Sequence, residues 1–278
     1  MKNLHFCGGL PRSGSTILMN ILQQNPRIFT TGTCALPDLI HQHILIKSRY
    51  REQFQAMSVE QADRAMFGLV HGATKGWFEA LTNKPTVISK NRSWSNIFHL
   101  YDKSKYIVMV RDIRDIIESF ERINDKTLAL HAYGDQHVLT PAMHEHEKYK
   151  HYLTEANSLS MPLTTEVPRL MEMFIKNKNK VMFIRYEDLV AEPIYMIKKL
   201  YNFIEEEYFE HDLNNISQSE LYEHDHAYFR ERTEHVTQTK FLYDHNPKRT
   251  LPKSFHDKVV KEFDWFYNGF YPDEISDE

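Results

Sequence analysis

Short apolar runs alternate with stretches of helical periodicity along the first two-thirds of the chain. Leu4-His5-Phe6-Cys7, Tyr106-Ile107-Val108-Met109-Val110 and Val181-Met182-Phe183-Ile184 are near-continuous apolar runs of strand length, as in strands buried on both faces. Strands are expected at residues 3–8, 28–31, 86–90, 105–111 and 180–185. Between them apolar positions recur at helical spacing, as at Ile17, Leu18, Ile21 and Leu22, and predict helices at about 15–24, 36–55, 58–82, 93–103, 113–122 and 166–177. A further helix is expected after Pro193 through Phe203, and another from Ser254 to Tyr267 carrying Trp265. Strands alternating with helices, without internal repeats, predict an α/β three-layer sandwich around a central parallel sheet.

Two stretches break the alternation. Residues 123–165 are polar and His-rich, with Pro141 and Pro162 bounding Ala142 to Ser160, and residues 206–252 are aromatic and charged without regular periodicity. Inserts of this length usually carry function, so both are candidates for a substrate lid or for the contact of a homodimer, within one domain spanning 1–278. A chain of 278 residues suffices for one such domain with a substantial core.

The formal net charge of -4, from 34 basic and 38 acidic residues, gives no global positive field for nucleic acid or an anionic membrane, so any phosphate binding is local. Apolar runs are short and the first is interrupted by Arg12, which argues against a membrane span or a secretory signal and for a cytoplasmic protein. Cys7 and Cys34 are the only cysteines, so no disulfide framework is expected. Histidine is abundant, at 16 residues, but the pairs His41/His43, His144/His146 and His224/His226 are two apart. On a regular helix such residues point about 200° away from each other, and no metal site is expected.

The candidate chemistry begins at Gly9-Leu10-Pro11-Arg12-Ser13-Gly14-Ser15-Thr16. A nucleotide phosphate loop reads Gly, four residues, Gly, Lys, then Ser or Thr; here Ser15 stands where the lysine belongs. The motif lies at a strand-to-helix turn, where loop N–H groups and the positive end of a helix dipole converge on an anion. The fold expected is therefore P-loop NTPase-like. A kinase needs the missing lysine on its polyphosphate and a magnesium ion held by carboxylates. A donor with one phosphate bridging to a transferable group asks less, and Arg12 inside the loop could neutralise the leaving charge without metal. Arg111 sits at the carboxyl end of a predicted strand and Ser119 about two turns into the next helix, so both can face the crevice where α/β sheets bind ligands.

These segments together resemble the sulfotransferase superfamily, whose donor is 3′-phosphoadenosine 5′-phosphosulfate (PAPS) and whose product is adenosine 3′,5′-bisphosphate (PAP). In that family a loop of the form G-x-P-[KR]-S-G-[ST]-[ST] holds the 5′-phosphosulfate, matching Gly9 to Thr16 with Pro11, Arg12, Ser13, Gly14, Ser15 and Thr16 as donor contacts. An Arg and a Ser eight residues apart hold the 3′-phosphate, matching Arg111 and Ser119, and Arg185-Tyr186-Glu187-Asp188-Leu189 resembles the R-Y-E-D-L segment near the adenine, which implies Tyr186 there. Lys248 and Arg249 form a short basic cluster of the kind that closes over the 3′-phosphate, without the R-K-G pattern of the cytosolic members. The resemblance implies sulfonate transfer from PAPS to the hydroxyl of a small-molecule acceptor, without a metal. A P-loop-type phosphotransferase and a non-catalytic nucleotide-binding module are the alternatives.

Arg12 is the first candidate for stabilising the transferring group and Lys90 the second, because Ser89-Lys90-Asn91-Arg92 resembles the family's K-T-H segment, in which the Lys supports the sulfonate and the His is the base. The chain has Arg92 where the aryl sulfotransferases have that His, and a guanidinium does not deprotonate an alcohol near neutral pH. The tyrosylprotein sulfotransferases use a Glu after the loop helix, but Thr30-Thr31-Gly32-Thr33-Cys34-Ala35 contains no carboxylate. The base then comes from Asp38, His41 or His43 in the helix starting near Pro37, or from His235, or the acceptor is a phenol acidic enough to need little help.

Overall fold

The structure, a computed structural model, describes residues 3–46, 52, 55–119, 171–173, 175–176, 179–217, 240–241 and 249–272. The expected insert 123–165, His144, His146, His224, His226, His235 and Lys248 lie outside the described residues, as does most of the stretch 206–252.

Among the described residues five strands form one sheet: β1 (Asn3–Gly9), β2 (Ile28–Thr33), β3 (Thr86–Lys90), β4 (Tyr106–Val110) and β5 (Val181–Arg185). All neighbouring pairs are parallel and the order is β2-β3-β1-β4-β5. The apolar runs seen in the sequence are buried because β1 is central, with Cys7 beside Lys90 on one side and beside Ile107 on the other. From β1 the chain crosses to β2 and returns to β3 on one side, then crosses past β1 to β4 and β5 on the other, so the carboxyl end of β1 opens a crevice at the switch in strand order.

Helices cover both faces: α1 (Ser15–Leu22), α2 (Leu36–Ile46), α3 (Val59–Leu81), α4 (Trp94–Ile97), α5 (residues 113–119), α6 (Tyr186–Ala191), α7 (Pro193–Ile204), α8 (Lys253–Glu262) and α9 (Asp264–Phe270). Side chains alternate across the sheet, so Phe6 and Cys7 enter different cores. Phe6, Val87 and Val108 pack with Trp94, Ile113, Phe255, Phe266 and Tyr267 on one face. Cys7, Ile88, Ile107 and Ile184 pack with Leu18, Ile21 and Leu200 on the other. This is the three-layer α/β architecture read from the sequence.

Local chemistry explains several boundaries. α3 begins at a capping box in which Gln61 N–H donates to Ser58 Oγ (3.1 Å) and Ser58 N–H to Gln61 Oε1 (2.9 Å). α7 begins with Pro193 in its first turn and ends at Glu205 with φ 60°. Two expected helices break. The 93–103 segment forms α4 and then a 3₁₀ turn, Phe98–Leu100, whose tighter winding lets Trp94 and Tyr101 both reach Phe6 (4.2 and 5.1 Å between ring centroids). The 254–267 segment divides at Phe263, whose backbone (φ -114°, ψ 35°) leaves the helical region so that the rings of α8 and α9 can both enter the core. Among the described residues no helix is long and apolar enough to cross a membrane.

Candidate active site

The crevice at the end of β1 is built by a loop that only unusual backbone angles allow. Gly9 has φ 123° and lies so close to β4 that a Cβ there would sit 2.0 Å from Met109 O. Gly14, the N-cap of α1, has φ 86°, and a Cβ there would lie 2.4 Å from the Tyr186 ring. Between them Arg12 takes φ 56°, a left-handed conformation that costs a non-glycine residue on the order of 1 kcal/mol or more. The turn holding Pro11 is closed by Leu10 N–H to Met109 O (3.1 Å) and by Ser13 Oγ–H to Leu10 O (2.6 Å). Helical bonding starts with Leu18 N–H to Gly14 O, so the amides of Ser15 and Thr16 precede it and form the positive end of α1. That end has no side-chain cap and no acidic residue in its first turn.

Side chains from three other strands converge on this loop. Arg111, just past β4, donates from Nη1 to Arg12 O (3.0 Å), and Arg12 donates from Nε to Ser119 Oγ on α5 (3.2 Å). The Arg111 guanidinium lies 4.5 Å over the Tyr186 ring at the end of β5, and its Nε is buried without a hydrogen-bond partner among the described residues. Lys90, ending β3, donates from Nζ to Thr16 Oγ1 (2.9 Å). The structure thus brings Gly9 to Thr16, Lys90, Arg111, Ser119 and Tyr186 into one cluster.

The cluster has two sides set by strand order. Arg111, Ser119 and Tyr186 lie beyond β4 and β5; Lys90, Asn91 and Asp38 lie beyond β3 and β2. On the second side Thr31 Oγ1 accepts from Lys90 N–H (2.9 Å), and Asn91 Nδ2 donates to Cys34 O (2.6 Å) and to Asp38 Oδ2 (2.9 Å). His43 stands further along α2, exposed, with Nδ1 2.7 Å from Leu39 O of its own helix. The Asn91–Asp38 bond had no signal in the sequence, because it joins positions 53 residues apart.

Arg249 is turned to a different task. It donates from Nη2 to Asp112 (2.9 Å) and from Nε to Asp115 (3.1 Å). Asp112 also accepts from Arg114 and from Tyr267 OH (2.8 Å). Burial, and then the Asp112 charge, push the Tyr267 phenol well above its usual range. Glu118, fully buried on α5, accepts from Thr250 N–H (2.7 Å), Thr250 Oγ–H (2.7 Å) and Leu251 N–H (2.8 Å), and His256 Nε2 lies 3.2 Å away. Burial alone would raise this carboxyl, but the His256, Leu251 and Thr250 contacts outweigh it and bring it down to about 2. These carboxylates tie residues 249–251 and the C-terminal helices to the helix carrying Ser119. The alternating charges of Arg111-Asp112-Ile113-Arg114-Asp115 were visible in the sequence, but their partners were not.

The described residues contain no group of three or more His, Cys, Asp or Glu side chains placed to hold a metal ion.

One family model, described as Sulfotransferase family, matches residues 5–211. No curated protein matches the chain. Among solved structures it is similar to sulfotransferase STF9 from Mycobacterium avium, at 13% identity over 97% of this chain and 77% of that one, with a TM-score of 0.51. It is also similar to the sulfotransferase domain from the curacin biosynthetic pathway, at 16% identity over 93% and 90% of the two chains, with a TM-score of 0.50. A complex of retinol dehydratase with retinol and PAP aligns at 12% identity over 96% and 82%, with a TM-score of 0.46.

Proposed function

The chain belongs to the sulfotransferase family and catalyses sulfonate transfer, and on that premise we propose that its donor is PAPS and its acceptor the hydroxyl of a small phenolic compound. The observation that carries the donor reading is the Arg12–Ser119–Arg111 cluster over Tyr186, in which two guanidinium groups and a hydroxyl gather at the loop and suit an anion. This layout supports a reading with two phosphate sites. The loop amides and the end of α1 suit a 5′-phosphosulfate, and Arg111 with Ser119 suits a 3′-phosphate, with Tyr186 beside the base. Lys248 and Arg249 stay in the proposed donor set as a basic cluster next to the 3′-phosphate site, Arg249 acting through its carboxylate anchors rather than by direct contact. Arg249, held by Asp112 and Asp115, fixes the segment that follows Lys248 in position beside α5.

PAPS, when bound, supplies the sulfonate; the protein supplies charge and orientation. Arg12 and Lys90 place positive charge where the bridging and equatorial oxygens gain negative charge, and Thr16 holds Lys90 there in advance. Asp38, oriented by Asn91 beside Lys90, takes the acceptor proton. His43 on the same helix is the second candidate for that role. A carboxylate is a weak base, and a weak base favours an acidic hydroxyl, which supports a phenol over a sugar. We place the protein in the cytoplasm, where thiols such as the free Cys7 and Cys34 stay reduced, and read residues 1–278 as one domain.

Ligand-dependent melting tests the donor. PAP should stabilise the protein without magnesium, whereas a kinase would respond to ATP with magnesium. Labelled PAPS offered with phenols, sugars and a Tyr peptide then tests the acceptor. Stabilisation by PAP without turnover of any acceptor would favour a binding module instead.

A further inference from the structure

On the side of the cluster where the proposed reading puts the acceptor stands one more cation, Arg92, which like Arg111 and Arg185 keeps a buried guanidinium nitrogen without a hydrogen-bond partner among the described residues. Arg92 follows Asn91 beyond the end of β3, on the side of the cluster opposite Arg111 and Tyr186. Its position is fixed by its backbone: Arg92 O accepts from Ser95 N–H (3.0 Å) and Ser95 Oγ–H (2.8 Å), and Tyr106 OH lies 3.4 Å away. Asn91 Oδ1 closes the same turn by accepting from Ser93 N–H (2.8 Å). Three other arginines around this end of the sheet, Arg114, Arg185 and Arg249, each meet a carboxylate. Arg92 meets none within ion-pair distance among the described residues, and its Nη1 is buried without a hydrogen-bond partner. Asp38 accepts from the adjacent Asn91 Nδ2 (2.9 Å).

A buried guanidinium nitrogen without an acceptor is costly, and the group stays charged at any physiological pH. Its planar fork matches a carboxylate through two parallel hydrogen bonds. We infer that the acceptor is a hydroxyl compound that also carries a carboxylate, and that Arg92 reads that carboxylate while the hydroxyl lies toward Lys90 and Asp38. Arg92, which occupies the place of a general base in the aryl sulfotransferases, is then a specificity residue. The donor nucleotide does not need it, because Arg111, Ser119 and Tyr186 lie on the other side of β1. The inference rests on the PAPS reading above and deepens it.

The test pairs each of 4-hydroxybenzoate, 3-hydroxybenzoate and 4-hydroxyphenylacetate with its methyl ester, using labelled PAPS and the parent, Arg92→Ala and Arg92→Lys proteins. PAP affinity is measured by calorimetry on all three. At least one acid should have a lower KM than its ester with the parent. Arg92→Ala should raise the KM of that acid by about tenfold to a hundredfold, as for a lost hydrogen-bonded charge pair. It should move the ester by less than threefold and leave PAP affinity within twofold, and Arg92→Lys should recover part of the loss. Retained PAP affinity also shows that the variant folds. The inference is overturned if no acid outperforms its ester, if Arg92→Ala harms acid and ester equally, or if PAP affinity falls with it, which would move Arg92 to the donor. Failure of the parent to bind PAP at all would instead overturn the donor reading.

Discussion

Glu118 gives a prediction whose size follows from the structure. Its carboxylate is fully buried yet sits at a pKa of about 2 against an ordinary value of 4.5, because residues 250–251 and His256 converge on it. At about 1.36 kcal/mol per pKa unit, a depression of this size is worth on the order of 3 kcal/mol of folding stability at neutral pH. The folded pKa lies below the unfolded one, so this stabilisation is complete above about pH 4.5 and is lost as the pH falls toward 2. Glu118→Gln keeps one acceptor and removes the charge, and should cost roughly 2 to 3 kcal/mol at pH 7. For a chain of this size that lowers Tm by about 3 to 6 °C. Thermal and urea unfolding of parent and variant at pH 7 and pH 3.5 provide the check, and the gap between them should be about 1 kcal/mol smaller at the lower pH. A Tm within 1 °C of the parent at pH 7, or a gap that does not narrow on acidification, would refute the reasoning that Glu118 is a charged anchor for the C-terminal segment.

Arg111→Ala and Ser119→Ala should each weaken PAP by about 1 to 3 kcal/mol while adenosine 5′-phosphate binds almost as before; equal losses for both ligands in calorimetry would remove these residues from the 3′-phosphate site. Arg12→Ala should lower kcat more than it raises the donor KM, since its interaction strengthens as charge develops on the bridging oxygen; a change in KM alone would make it a uniform binder. Asp38→Asn should reduce phenol turnover by about 10² to 10⁴ with PAP affinity retained, whereas His43→Ala should stay within tenfold of the parent. The reverse ranking would transfer the base role to His43.

The layered α/β fold was legible because periodicity is local. A strand buried on both faces must be apolar throughout, as in Tyr106 to Val110, and a helix on one face must repeat its apolar positions, as in Ile17 to Leu22. The tight loop between β1 and α1 was legible for the same reason: Gly9 and Gly14 are required by backbone angles and close approaches at those two positions, whatever surrounds them. Where helices break was less visible, since the divisions after Ile97 and at Phe263 serve aromatic packing against Phe6 and the shared core. The partners of the charged side chains lay wholly outside the sequence. Arg12 meets Ser119 across 107 positions, Asp38 meets Asn91 across 53, and Arg249 meets Asp112 across 137. A guanidinium or carboxylate looks the same in a sequence whether it faces solvent, a ligand or its opposite charge. The order β2-β3-β1-β4-β5 decides which of these it meets, by setting which strand ends stand together around the crevice.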